Sequence, residues 1–142
     1  MLARQDKSFL QEIEVAVGAC VGAEVVRSAT GISVKASGPN GFDMAILVED
    51  GRYALYFDNW TEEFVSDDSA RRTFEAALAG TARLRVDTLA GRQWRWTLET
   101  LDESGRWVAQ STIGHVIWRF WGRQATFYLR NTFPCAFQPR LS

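Results

Sequence analysis

The chain has 142 residues, of which 46% are hydrophobic and 23% charged, and its net charge is −1. This is the composition of one globular domain with its own core. A pI near 5.8 argues against a dedicated nucleic-acid binder, and no apolar run reaches the roughly 18 residues that would span a membrane.

The charge is unevenly spread. Residues 1–80 carry 7 basic and 13 acidic side chains, whereas residues 81–142 carry 9 and 4. Such asymmetry marks either an interaction surface or two halves that complement each other within one fold. Of the 16 basic residues only Lys7 and Lys35 are lysines, so arginine supplies almost all the positive charge.

Taken in order, residues 5–22 have the periodicity of a first helix. Phe9, Leu10, Ile13, Val17 and Val21 recur at three- and four-residue spacing, and Gly18 or Gly22 can close the helix. Short strands are expected over Glu24 to Ser28 and Ile32 to Ser37, followed by a turn at Gly38-Pro39-Asn40-Gly41. Phe42 to Glu49 and Arg52 to Asp58 form a hairpin around Asp50-Gly51, the dipeptide a type I′ turn requires. Asn59 to Val65 reads as a connector. Ser66-Asp67-Asp68-Ser69 opens a second helix whose apolar stripe is Phe74, Ala77 and Leu78, and Gly80 ends it.

From Thr81 to Thr132 the chain alternates almost without pause, and this stretch holds five of the six tryptophans: Trp94, Trp96, Trp107, Trp118 and Trp121. Ala82, Leu84 and Val86 alternate with Arg83, Arg85 and Asp87. Trp94, Trp96 and Leu98 alternate with Arg95, Thr97 and Glu99. After a turn at Asp102 to Gly105 come strands over Trp107 to Ile113 and Val116 to Trp121. Gly122-Arg123 then suits a type II′ hairpin leading into Ala125 to Arg130. Residues 133–142 carry Pro134 and Pro139 and read as an irregular C-terminal tail.

The order helix, strands, helix, strands predicts an α+β domain over residues 1–142 with no internal boundary. Its strands are expected to form one curved, mainly antiparallel sheet of about seven to nine strands, a meander with the two helices on its apolar face.

Motifs for chemistry are sparse. The acids Asp58, Glu62, Glu63, Asp67 and Asp68 are close in sequence but lack the alternating pattern of a calcium loop, and a helix start explains them. His115, the single histidine, sits at a turn with no nucleophile motif nearby. Cys20 and Cys135 lie 115 positions apart with no metal-ligand spacing. No secretory signal is read at the N-terminus, so both are expected to be reduced, partly buried thiols in a cytoplasmic protein. A disulfide between them is open only to an exported chain. Phosphate-binding glycine motifs are missing. No catalytic, metal or cofactor-binding residues are therefore assigned, and the reading leans away from an enzyme.

The suggestive surface is the polar side of the second strand block. With Leu84, Trp94, Trp96 and Phe127 facing the core, Arg83, Arg85, Arg95, Arg119, Trp121, Tyr128 and Arg130 share the other side, with Thr97 and Gln110 beside them. Arginine beside exposed aromatics suits an anionic ligand or an acidic protein segment. The plain alternative is a solvated face on which Arg83, Arg85 and Arg95 pair with Glu99 and Asp87 across strands. Alternation also puts Trp118 and Trp121 on opposite faces, so one of them leaves the core. The sequence thus points to an accessory domain that binds a protein partner or a second copy of itself. The competing reading is a small-ligand domain, for an anionic or apolar ligand, with an aromatic-lined cavity between helices and sheet. Nucleic acid and membrane are not expected partners.

Overall fold

The computed structural model describes residues 3–115 and 121–137. The expected strand over Val116 to Trp121, with Trp118 and Arg119, lies almost wholly outside the described residues.

Helix α1 spans Arg4–Gly18 and buries Phe9, Leu10, Ile13, Ala16 and Val17, the stripe its spacing predicts. It stops before the expected end at residue 22. The backbone beyond it is engaged elsewhere: Val21 N–H donates to the carbonyl of Pro134, and Ala136 N–H donates to that of Ala19. Between these two bonds Cys20 and Cys135 face each other as an antiparallel bridge. This is the non-hydrogen-bonded position of a ladder, where side chains lie closest. The two sulfurs are joined in a disulfide. The reduced thiols expected from the sequence are thus corrected, because nothing in a 115-residue separation reveals that the two backbones run side by side.

Five strands follow in the first half: β1 (Val25–Arg27), β2 (Gly31–Val34), β3 (Met44–Glu49), β4 (Arg52–Phe57) and β5 (Trp60–Phe64). They form an antiparallel sheet in sequence order. Asp50 and Gly51 both have positive φ, 51° and 72°, as the type I′ turn between β3 and β4 demands. Met44, Ile46, Val48, Tyr53, Leu55 and Phe57 point into the core. The segment expected to be a connector is instead β5. Its alternation is masked by Thr61, Glu62 and Glu63, but Trp60 is fully buried, stacks on Phe57 with ring centres 5.0 Å apart, and donates its indole N–H to Ser111 Oγ at 3.0 Å. Burial of that indole fixes the strand.

Helix α2 spans Asp67–Ala79. Ser66 caps it by accepting the Ser69 N–H, Asp67 and Asp68 occupy its first turn, and Gly80 ends it in the left-handed conformation at φ 84°. Both helices cover the inner face of the first sheet, α1 against β1, β2 and β3 and α2 against β4 and β5.

Four more strands make a second antiparallel sheet: β6 (Ala82–Leu89), β7 (Arg92–Leu101), β8 (Trp107–Gly114) and β9 (Gln124–Leu129), in the order β8-β7-β6-β9. The single sheet expected from the sequence is corrected to two, of five and four strands among the described residues. The α+β class and the antiparallel pairing stand. Among the described residues β9 does not follow β8 in the sheet but lies on the far side of β6. One continuous core joins the two sheets and helices, from Ile13 and Phe57 through Phe74 to Val86 and Trp96.

A second buried link is Asn131, with no exposed surface. Its Oδ1 accepts the N–H groups of Ser37 and Phe42, each at 3.1 Å, and its Nδ2 donates to the Phe42 carbonyl at 2.9 Å. One side chain thus holds the β2–β3 loop of the first sheet to the chain leaving β9.

Candidate functional site

The second sheet presents its outer face through the simple period of two. Ala82, Leu84 and Val86 of β6 are buried, so Arg83, Arg85 and Asp87 point outward. The ladder sets Arg83 opposite Glu99, Arg85 opposite Thr97 and Tyr128, and Asp87 opposite Arg95 and Thr126. Of the residues expected on this side, Arg83, Arg85, Arg95 and Tyr128 share it in register, and Arg130 joins them just past the end of β9 (its carbon Cζ is 5.3 Å from the Trp107 ring centre). Trp121 is 67% exposed but lies off the strands, and Arg119 is outside the described residues. Gln110 does not join the group, since its amide donates to Thr100 Oγ1 at 2.8 Å.

Arg83 is the centre. Its Cζ lies 4.3 Å from the ring centre of Trp107 and 4.0 Å from that of Tyr128, and its Nε donates to Glu99 Oε1 at 2.7 Å. Two aromatic contacts and one charged hydrogen bond leave the guanidinium little conformational freedom to lose on binding. Beside it, Arg130 donates from Nε to the Gly80 carbonyl at 2.6 Å, which ties the helix α2 cap to this face.

A second cluster surrounds Asp87. Arg95 Nε donates to its Oδ2 at 2.8 Å, Arg85 Nε to its Oδ1 at 3.2 Å, and Thr126 Oγ1 to the same Oδ1 at 2.7 Å. Burial works to raise the Asp87 pKa, but the bonds from Arg95 and Thr126 and the charges of both arginines outweigh it and hold the carboxyl below its ordinary value. Arg95 also covers the Trp94 ring at 4.5 Å. The pairs anticipated for a solvated face are therefore formed. The face still keeps four arginines against Asp87 and Glu99, together with partly exposed Trp94, Trp107 and Tyr128.

Trp107 is the member that sequence reasoning missed. A β-bulge lies where Leu98 pairs with Ser111 and Glu99 with Ala109, so Gln110 is the extra residue. The bulge switches the phase of β8, putting Trp107 and Ala109 outside while Ser111 and Ile113 stay inside. Another shift, between Asp87 and Thr88, takes Trp94 out of the core in which its alternation with Trp96 had placed it, leaving it half-buried. The period breaks are the signal, but alternation alone cannot locate a bulge.

Other candidates disperse. Asp58 Oδ1 accepts the Asp43 N–H at the β4–β5 turn, Glu63 faces Arg52, and Asp68 pairs with Arg71 and Arg72. No group of three or more metal-ligating side chains occurs among the described residues. With Cys135 in the disulfide, there is no thiol for His115 to activate. The His115 ring stands edge-on to Trp96 at 5.2 Å. The space between the helices and the first sheet is occupied by Phe9, Leu10, Ile13, Phe74 and Leu78, all buried. No helix among the described residues is long and apolar enough to cross a membrane.

No family model, curated protein or solved structure matches the chain.

Proposed function

We propose that this is a non-enzymatic binding domain whose second sheet takes a carboxylate-bearing segment of a protein on its outer face. The observation that carries the reading is Arg83 held between Trp107 and Tyr128, with Arg85, Arg95 and Arg130 around it. A guanidinium fixed on aromatic rings binds a carboxylate in a defined plane, and the rings add apolar contact. Four arginines against two acids leave a net charge of +2 on this face, although the whole chain is at −1. The Cys20–Cys135 disulfide favours an oxidising compartment over the cytoplasm expected from the sequence, since cytoplasmic thiols stay reduced.

The test is titration of a glutamate-rich peptide and a lysine-rich control, followed by tryptophan fluorescence. The acidic peptide is expected to bind and to shift the emission, the lysine peptide to do neither. The double variant Arg85→Gln, Arg95→Gln is expected to weaken binding at least tenfold. Equal behaviour of both peptides, or no binding of either, would refute the reading.

A further inference from the structure

The outer face of the first sheet is a different kind of surface. Register puts Val26, Ser33, Ala45, Tyr56 and Thr61 in one row across all five strands. Leu47 and Ala54 lie in the next row. Val26 is 62% exposed, Leu47 44% and Tyr56 39%. Small side chains at Ser33, Ala45 and Ala54 let Tyr56 stand proud, and a cleft lies on each side of it. One, of about 550 Å³, runs from Val26 to Asn59 and carries Lys35, Asp43 and Asp58. The other, of about 590 Å³, runs from Leu47 to Glu63 and carries Glu49, Asp50 and Arg52. Together the clefts hold five acids against two bases, a net charge of −3.

This face complements the arginine face of the second sheet. One has an apolar floor with an acidic rim, while the other has exposed aromatics set among arginines. We infer that the occupant of the first sheet's outer face is the second sheet's outer face of another copy of this chain, in a head-to-tail contact. The inference rests on the reading that the arginine face binds carboxylate-bearing protein, and it names that protein. Charge decides the geometry. Two acidic faces or two arginine faces meeting in a symmetric dimer would set like charge against like, whereas the heterologous contact pairs −3 with +2. Such a contact leaves one face of each sort open at the ends, so copies close into a ring or continue as a stack. Because the charges sit on solvent-facing rims, salt weakens the contact.

Two variants that each block one face provide the test. Tyr56→Lys places a cation on the acidic face, and Tyr128→Glu places an acid among the arginines. Both positions are exposed, and Leu47→Lys and Arg85→Glu serve as a second pair if either variant fails to fold by circular dichroism. By sedimentation, the wild type at low salt is expected to grow in mass with concentration, and about 0.5 M salt to weaken association at least tenfold. Each variant alone is expected to be monomeric. An equimolar mixture is expected to form a 1:1 dimer and grow no further, since the two intact faces meet and the two blocked faces remain. A wild type that stays monomeric at high concentration, a mixture that stays monomeric, or a dimer that survives in either single variant would overturn the inference. The glutamate peptide separates the two levels: a monomeric wild type that binds it defeats self-association but keeps the acidic-partner reading.

Discussion

The two sheets of this domain obey the same alternation yet end with opposite outer surfaces. In the first, each strand pairs with its neighbour in sequence, and apart from Arg52 the outward positions are small, apolar or acidic or, at Tyr56, aromatic. In the second, β9 pairs with β6 across more than thirty positions, and the outward positions are arginine, aromatic and threonine with the two buried acids Asp87 and Glu99. On the first sheet's outer face the only ion pair among the described residues is Arg52 with Glu63 at 3.5 Å, while Asp43 and Asp58 accept the backbone N–H groups of Ala36 and Asp43. The second is knit by Arg83–Glu99, Arg85–Asp87 and Arg95–Asp87. Inner faces build one core, and the outer faces are therefore free to diverge, because exposed positions carry little of the folding energy.

What holds the two sheets to one another is open to direct attack, and the largest effect is expected at the disulfide. Cys20→Ser with Cys135→Ser releases a loop of 115 residues. Chain-entropy arguments put the loss at about 4 to 5 kcal/mol. Urea unfolding of the double variant is expected to match that of the reduced wild type and to fall well below the oxidised protein. Trp60→Ala comes next, at about 3 to 4 kcal/mol, since it empties the junction between β5 and β8 and frees Ser111. Trp60→Phe, which keeps most of the volume, is expected to cost less than half as much in the same assay.

Asn131→Ala leaves the Ser37 and Phe42 N–H groups without their acceptor and is expected to cost about 2 to 3 kcal/mol. Amide exchange at residues 36–42 is expected to speed up more than exchange in β6 and β7, because the loop loses its anchor while the second sheet keeps its ladders. If exchange rises evenly across the molecule, Asn131 is not the specific clamp described.

Asp87 tests the internal knit of the second sheet. Its folded pKa is lowered, so its stabilising effect is fully present above the unfolded carboxyl value near 4 and is lost as pH falls through the folded value. Asp87→Asn is expected to cost about 1 to 2 kcal/mol at pH 7 and progressively less below pH 4. A stability difference independent of pH would show that the effect is packing and not charge. The smallest change is expected on the first sheet's outer face. Arg52→Ala and Tyr56→Ser should each alter thermal stability by less than about 0.5 to 1 kcal/mol, while Tyr56→Ser weakens self-association.

Much of this architecture is legible in the chain. The Asp50-Gly51 turn, the Ser66 cap and Gly80 stop of α2, and the alternation of β3, β4, β6 and β7 follow from residues close in sequence. So does the outward placement of Arg83, Arg85, Arg95 and Tyr128, because a period of two needs only the knowledge of which set is apolar. Local pattern is not enough where contacts are distant or the period breaks. Val21 belongs by spacing to the α1 stripe but is drawn off by Pro134, and Trp60 sits among acids that hide its strand. Trp107 reaches Arg83 only because a bulge inverts β8.

By itself, then, the sequence determined the α+β order, the local turns and caps, and the outward placement of Arg83, Arg85 and Arg95, since these depend on φ preferences, helix capping and side-chain period within a few residues. Only the tertiary structure decided that the strands of the described residues divide into two sheets, that β9 closes against β6, that Cys20 meets Cys135, and that two aromatic rings close on Arg83. Each of those depends on which distant backbones become neighbours, a choice made by the shared core and not by any local pattern.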